Sequence, residues 1–266
     1  MTPQYALAIE DVRQGVGSWH IWGRLAWREI KRRYRRTVIG PFWASFNLAT
    51  MVFAMGFLWA ELFNQSASSY MPYLCAGLVT WQFIATVISE GAIVFTTSAT
   101  LLTSLRVPQT LLVATMVWRN VIVLFHNLAI YALVMMIWRV PITWNTLLFI
   151  PGLALLALNG LWVGLLIGIV STRLRDIPQL LMGLIMITMF VTPVMWSREV
   201  LKGRESIAKF IDFNPFYHIV EVVRSPLLGR APALESWAVT ILLFFLGGAF
   251  TLYVFSRFRQ RIIYWL

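Results

Sequence analysis

Residues Trp27 to Trp43 read WREIKRRYRRTVIGPFW: six Lys/Arg between positions 28 and 36, then a proline and a long run almost free of charge. A basic cluster beside a first hydrophobic span is retained in the cytoplasm and sets the orientation of the later spans. The junction therefore predicts an integral membrane protein with a cytoplasmic N-terminus. A net charge of +11 would also suit nucleic-acid binding, but the rest of the chain is lipid-soluble. It is 59% hydrophobic and 12% charged, with a mean hydropathy of +0.73, which leaves too few polar groups to cover a soluble 266-residue globule. Thirteen Trp suit a protein with two membrane interfaces. The lone Cys75 rules out an internal disulfide framework, and no Cys/His cluster suggests a metal site. Residues 1 to 23 contain no apolar core of signal-peptide type, so no N-terminal cleavage is expected.

A crossing helix needs about 20 apolar residues, and six stretches qualify, near 38–63, 73–99, 110–137, 147–171, 178–196 and 237–256. The short loops near 64–72 and 138–146 hold only Arg139. On the other side, 100–109 holds Arg106, 172–177 holds Arg173 and Arg175, and the tail holds Arg257, Arg259 and Arg261. This asymmetry places both termini in the cytoplasm. The expected fold is all-α and polytopic, with three parts: a cytoplasmic N-terminus over 1–37, a six-helix transmembrane domain over 38–256 and a basic tail over 257–266. Residues 19–36 read as an amphipathic helix in the interface plane, with Trp19, Trp22 and Trp27 on its apolar side. Residues 100–109 form a short helical turn ending at Pro108. Residues 197–236 hold two amphipathic segments broken at Asn214-Pro215.

Glu90 and Arg119 stand well inside spans 2 and 3 at similar depth. A charge near the bilayer centre costs about 2.5–3.5 kcal/mol and needs a partner, so the two are expected to pair, as a clamp between neighbouring helices or, alternatively, as a proton or ion site. His126, one to two turns beyond, reads as an interior hydrogen-bonded histidine. Gly160, Gly164 and Gly168 put three bare backbones on one face of span 4 for close contact with a helix of this chain or of another copy. Thr192-Pro193 predicts a kink near the outer end of span 5. Phe42, Phe46, Phe53 and Phe57 fall on one face of span 1. They are either a packed or lipid-facing stripe or, because aromatic rings can cover the apolar faces of sugars without trapping them, a lining for a glycan conduit. None of Lys31, Lys202 and Lys209 follows a glycine, so the chain has no phosphate loop and is not expected to bind or hydrolyse ATP by that device. It also lacks a G-x-S-x-G elbow and an H-E-x-x-H pair.

The segment RYRRTVIGPFW, the inner LLTSLRVPQTLL, the RLRDIPQLL connection, the stretch DFNPFYHIVEVVRSPLLGRAP before the last span and the ending FRQRIIYWL together resemble the permease subunits of type-2 ABC exporters, within them the polysaccharide and O-antigen exporters. The resemblance covers about residues 20 to 266. It implies a homodimer in the bacterial inner membrane that carries two separate ATP-binding subunits and passes lipid-linked polysaccharide, with ATP and Mg held by those subunits and no cofactor in this chain. Membrane lipids are further partners, and nucleic acid is not one. By position, Arg24 and Arg28, Arg106, and Arg173, Arg175 and Asp176 would meet the ATPase. Asn214, Pro215 and Phe216 would belong to an external re-entrant gate, and spans 1 and 5, with the Phe stripe and Phe190, would line the path. Teichoic acid and capsule permeases share this layout. An ion-coupled secondary transporter is the rival class, although such folds usually show internal repeats and broken mid-membrane helices, which this chain does not clearly show.

Overall fold

The computed structural model describes residues 3–35, 40, 42–63, 65–201 and 203–266. Residues 36–39 and 41, which complete the basic-to-apolar junction, and Lys202 lie outside the described residues. Every element among the described residues is helical. In chain order they are α1 (Pro3–Gly17), α2 (Trp19–Arg33), α3 (Phe42–Leu62), α4 (Ala67–Ile93), α5 (Ala99–Ser104), α6 (Gln109–Trp138), α7 (Phe149–Arg173), α8 (Ile177–Val191), α9 (Glu205–Asp212), α10 (Pro215–Leu227) and α11 (Leu234–Trp265). The hub is α4. Most of its length is buried, and it touches α3, α6, α7, α8 and α10.

Five helical stretches are long and apolar enough to cross a membrane: α3, α4, α6, α7 with its preceding turn, and α11. The stretch expected over 178–196 yields a shorter helix, the 15-residue α8. Its end has a local cause. Pro193 has no N–H to give, and its ring forces Thr192 into extended backbone at ψ 137. The dipeptide therefore ends the helix instead of kinking it. At 1.5 Å per residue α8 alone reaches about 22 Å, short of the hydrocarbon thickness of about 30 Å.

Two further boundaries differ from the sequence expectation. Residues 3–17, expected only as a charged N-terminus, form α1, and 257–265 are not a separate tail but continue α11 as helix. Both belong to one end of the bundle. The Asp11 carboxylate of α1 accepts the backbone N–H groups of Gln109 and Thr110 at 3.2 and 3.1 Å and pairs with Arg259 Nε of α11 at 2.9 Å. A helix start leaves four backbone donors unsatisfied, and here Asp11, from another helix, takes two of them. The two chain termini therefore lie on the same side.

The glycine face of α7 is spent within the chain, against α4 and α6. A Cβ on Gly91 of α4 would lie 3.0 Å from the Gly164 Cα, and one on Gly168 would lie 3.2 Å from the Gly91 carbonyl oxygen. Backbone sits against backbone there, so neither side can yield. Gly91→Val is expected to destabilise the fold by roughly 1–3 kcal/mol, as overpacking does, whereas Gly183→Val, which meets open space, should be nearly silent. Unfolding in detergent checks this; equal stability of the two variants would refute the close packing of α4 on α7.

Candidate conduit, gate and coupling sites

At the end that holds the termini, Glu90 and Arg119 belong to a larger cluster. Arg119 Nη2 donates to Glu90 Oε2 at 2.7 Å, and Asn120 Nδ2 donates to the same oxygen at 2.7 Å. From α2, Glu29 pairs with Arg119, and Arg33 Nη2 reaches Glu90 Oε1 at 3.0 Å. Two positive and two negative groups thus join α2, α4 and α6. Arg33 is half exposed, so solvent screens its contribution; the Arg119 and Glu90 side chains are only 15% and 17% exposed and set the strength of the cluster. α6 has 30 residues, about ten more than a crossing requires, and its first residues contact the charged Asp11 and Arg259. Glu90 lies three residues from the end of α4 and Arg119 ten past Gln109. The pair therefore lies toward the end of the bundle that holds the termini, beside α2. Trp22 of α2 and Trp118 of α6 meet edge-on at 5.4 Å beside it, which suits an interface.

The exposed residues of this end include Arg24 and Arg28 on α2, Arg106 after α5, and Arg173, Arg175 and Asp176 around the α7–α8 connection. Arg173 also stacks over Trp265, 5.5 Å from the ring centre. A cleft of about 960 Å³ runs between residues 102–109 and Arg259, Gln260, Ile263 and Tyr264 of α11, with Asp11 at its floor.

The aromatic stripe of α3 touches α6 at two positions. Phe42 packs edge-on against His126 at 5.2 Å, and Phe53 leans on Trp138 at 6.1 Å, both on α6. Phe42, Phe46 and Phe57 are nonetheless all about half exposed, as is Phe190 of α8, and Phe53 alone of the four on α3 is partly buried. The His126 ring bonds through Nδ1 to the Ile122 carbonyl within its own helix.

At the opposite end, the turn after α8 is covered by side chains. Asn214 caps α10 by accepting from Phe216 N at 3.0 Å, with Pro215 at the first helical position. The Asn214 side-chain amide also donates to Thr192 Oγ1 at 3.0 Å, and the Phe216 ring meets Trp81 of α4 at 5.9 Å. Deeper in, Arg224 is 1% exposed and donates Nη1 to the Pro193 carbonyl at 2.7 Å while pairing with Glu221. Burial favours the neutral Glu221 acid, but Arg224 and the Ser225 hydroxyl hold its carboxyl below the usual range.

Sequence reasoning missed Arg224, Glu221, Asp11, Glu29 and Arg33. The first two sit in an amphipathic segment where charges look solvated. The helical spacing of Glu29 and Arg33, i and i+4, was the available signal for a second face on α2.

Arg119→Gln leaves Glu90 and Glu29 without their common cation, and stranding buried charge costs about 3–5 kcal/mol. It should therefore destabilise more than Arg33→Gln, and a double-mutant cycle between Glu90 and Arg119 should give a coupling of about 1 kcal/mol or more. Additive effects of the two changes would refute the pairing.

Residues 22–228 match the ABC-2 type transporter family. The O-antigen export system permease protein RfbA of Myxococcus xanthus is 23% identical over 197 residues, covering 74% of this chain and 75% of that protein. With a match over most of its length and several helices apolar enough to span a bilayer, this chain belongs to the ABC-2 type transporter family and is a multi-pass membrane permease, the transport subunit and not the ATPase.

Proposed function

We propose that the chain is the permease of an ATP-driven exporter that moves lipid-linked polysaccharide, O-antigen in the first instance, across the bacterial inner membrane, as a homodimer served by two ATP-binding subunits that hold ATP and Mg. The observation that carries the substrate class is the similarity to an O-antigen export permease over about three quarters of both chains. The family membership supports the separate ATP-binding partner.

Six crossings are the count that fits the geometry. Asp11 of α1 and Arg259 of α11 touch, which supports an even number of crossings. Five helices are long enough to span, and α8 with its covered turn supplies the sixth. The Lys/Arg distribution then puts the end with the termini in the cytoplasm. There the cleft beside Arg106, with Arg173, Arg175 and Asp176, is the surface offered to the ATP-binding subunit, and Arg24 and Arg28 on α2 stand further back. At the outer face, α9 and α10 form the re-entrant gate. α3 and α8 leave open apolar faces on either side of the hub, where Phe46, Phe57 and Phe190 can meet the glycan.

The isolated chain should show no ATP turnover, and with the ATP-binding subunit it should move a lipid-linked glycan in proteoliposomes only when ATP is supplied. Transport driven by a proton gradient without that subunit would overturn the reading. Within the working complex, Phe46→Ala/Phe57→Ala should cut export of long polymers several-fold at equal permease levels, and normal export by that variant would return the stripe to lipid contact.

A further inference from the structure

α8 is held very differently at its two ends. None of its residues is buried. An apolar groove of about 420 Å³ separates Leu181, Ile185 and Thr188 on α8 from Trp162, Val163 and Ile167 on α7. Past Val191 the packing inverts: Thr192 and Val194 are fully buried, and three carbonyls of the unwound turn are taken by side chains from two other helices. Tyr73 Oη donates to Pro193 O at 3.2 Å and to Trp196 O at 3.0 Å, Tyr70 Oη donates to Met195 O at 2.5 Å, and Arg224 Nη1 donates to Pro193 O at 2.7 Å. The Arg224 guanidinium also lies 4.0 Å from the Tyr73 ring centre. Gly77 of α4 admits the Val194 carbonyl, since a Cβ there would come within 2.7 Å of it.

A bare carbonyl is costly away from water, so the turn cannot leave these donors without exposing several at once. The helical part of α8 faces the groove through dispersion contacts alone, which change gradually as it shifts. The planar fork of Arg224 sends one nitrogen to the Pro193 carbonyl and the other to the Glu221 carboxylate.

We infer that Arg224, with Tyr70 and Tyr73, is a positioning group for export: it pins the outer end of α8, so that any tilt of the helix against the groove turns about residues 192–196. The pin stands on geometry alone; its consequence for export rests on the exporter reading above.

Tyr70→Phe/Tyr73→Phe tests it, because both rings and their packing remain while the hydroxyl donors are lost. In the permease reconstituted in nanodiscs, spin labels at Val191 and at Trp144 are expected to give a narrow distance distribution in the parent chain and one at least twofold broader in the double variant. In the assembled transporter the variant should keep ATP turnover within about twofold while glycan moved per ATP falls at least tenfold. A merely structural role would lower yield, turnover and export together. Arg224→Lys should not restore the narrow distribution when its own is measured. An unchanged distribution in the double variant overturns the pin, and a broadened distribution with normal export per ATP overturns the positioning role. If even the parent chain moves no glycan, the exporter reading fails while the label distances still decide the pin.

Discussion

A hydrocarbon layer tolerates neither an unpaired charge nor an uncovered backbone carbonyl, and this chain breaks both conditions in its sequence. It places Glu90 and Arg119 in apolar helices and ends α8 at a proline after only 15 residues. Both breaches are repaired by side chains that come from other helices. Arg119 and Asn120 answer Glu90, with Glu29 and Arg33 reaching in from α2. Tyr70, Tyr73 and Arg224 answer the carbonyls of 193, 195 and 196. Each repair therefore also ties distant parts of the chain together.

These ties fall at the two ends of the bundle and leave its flanks open. At one end Asp11 joins α1, α6 and α11, and the Glu90 cluster joins α2, α4 and α6, so charged contacts tie the terminal helices to the hub. At the other end α10 is held to α4 and to the turn after α8. Between them the α4–α7 contact is sealed backbone to backbone at Gly91 and Gly164, which makes the hub stiff. α3 and α8 are each packed on one side only. The result is a tightly packed centre flanked by two helices, each packed on one side.

Much of this was legible in the sequence because the features were periodic or chemically extreme. The apolar runs, the Gly160–Gly168 ladder and the helix break at Asn214-Pro215 each follow from one residue property read at one spacing. The pairing of Glu90 with Arg119 was expected for the same reason, since a charge in an apolar run demands an answer. The illegible parts depend on which elements meet. Nothing in residues 3–17 announces that Asp11 will cap a helix beginning 98 positions later. Arg224 lies in an amphipathic segment where an arginine normally faces water, and its burial follows from the need of the Pro193 carbonyl. The short α8 was read as a full span because hydropathy alone continues past Thr192, while the proline that ends it registers only as a bend.

Everything proposed for gate and conduit depends on α8 and its covered turn completing a sixth crossing, with both termini on one side. Labelling by a membrane-impermeant thiol reagent measures this, with single cysteines placed at Ser104, Phe213 and Tyr264 in a chain whose Cys75 is replaced, in sealed vesicles of known orientation. Ser104→Cys and Tyr264→Cys are expected to react from the cytoplasmic side alone and Phe213→Cys from the opposite side alone. Reaction of Phe213→Cys from the same side as Ser104→Cys would contradict the sixth crossing, because α8 would then turn back without spanning the bilayer.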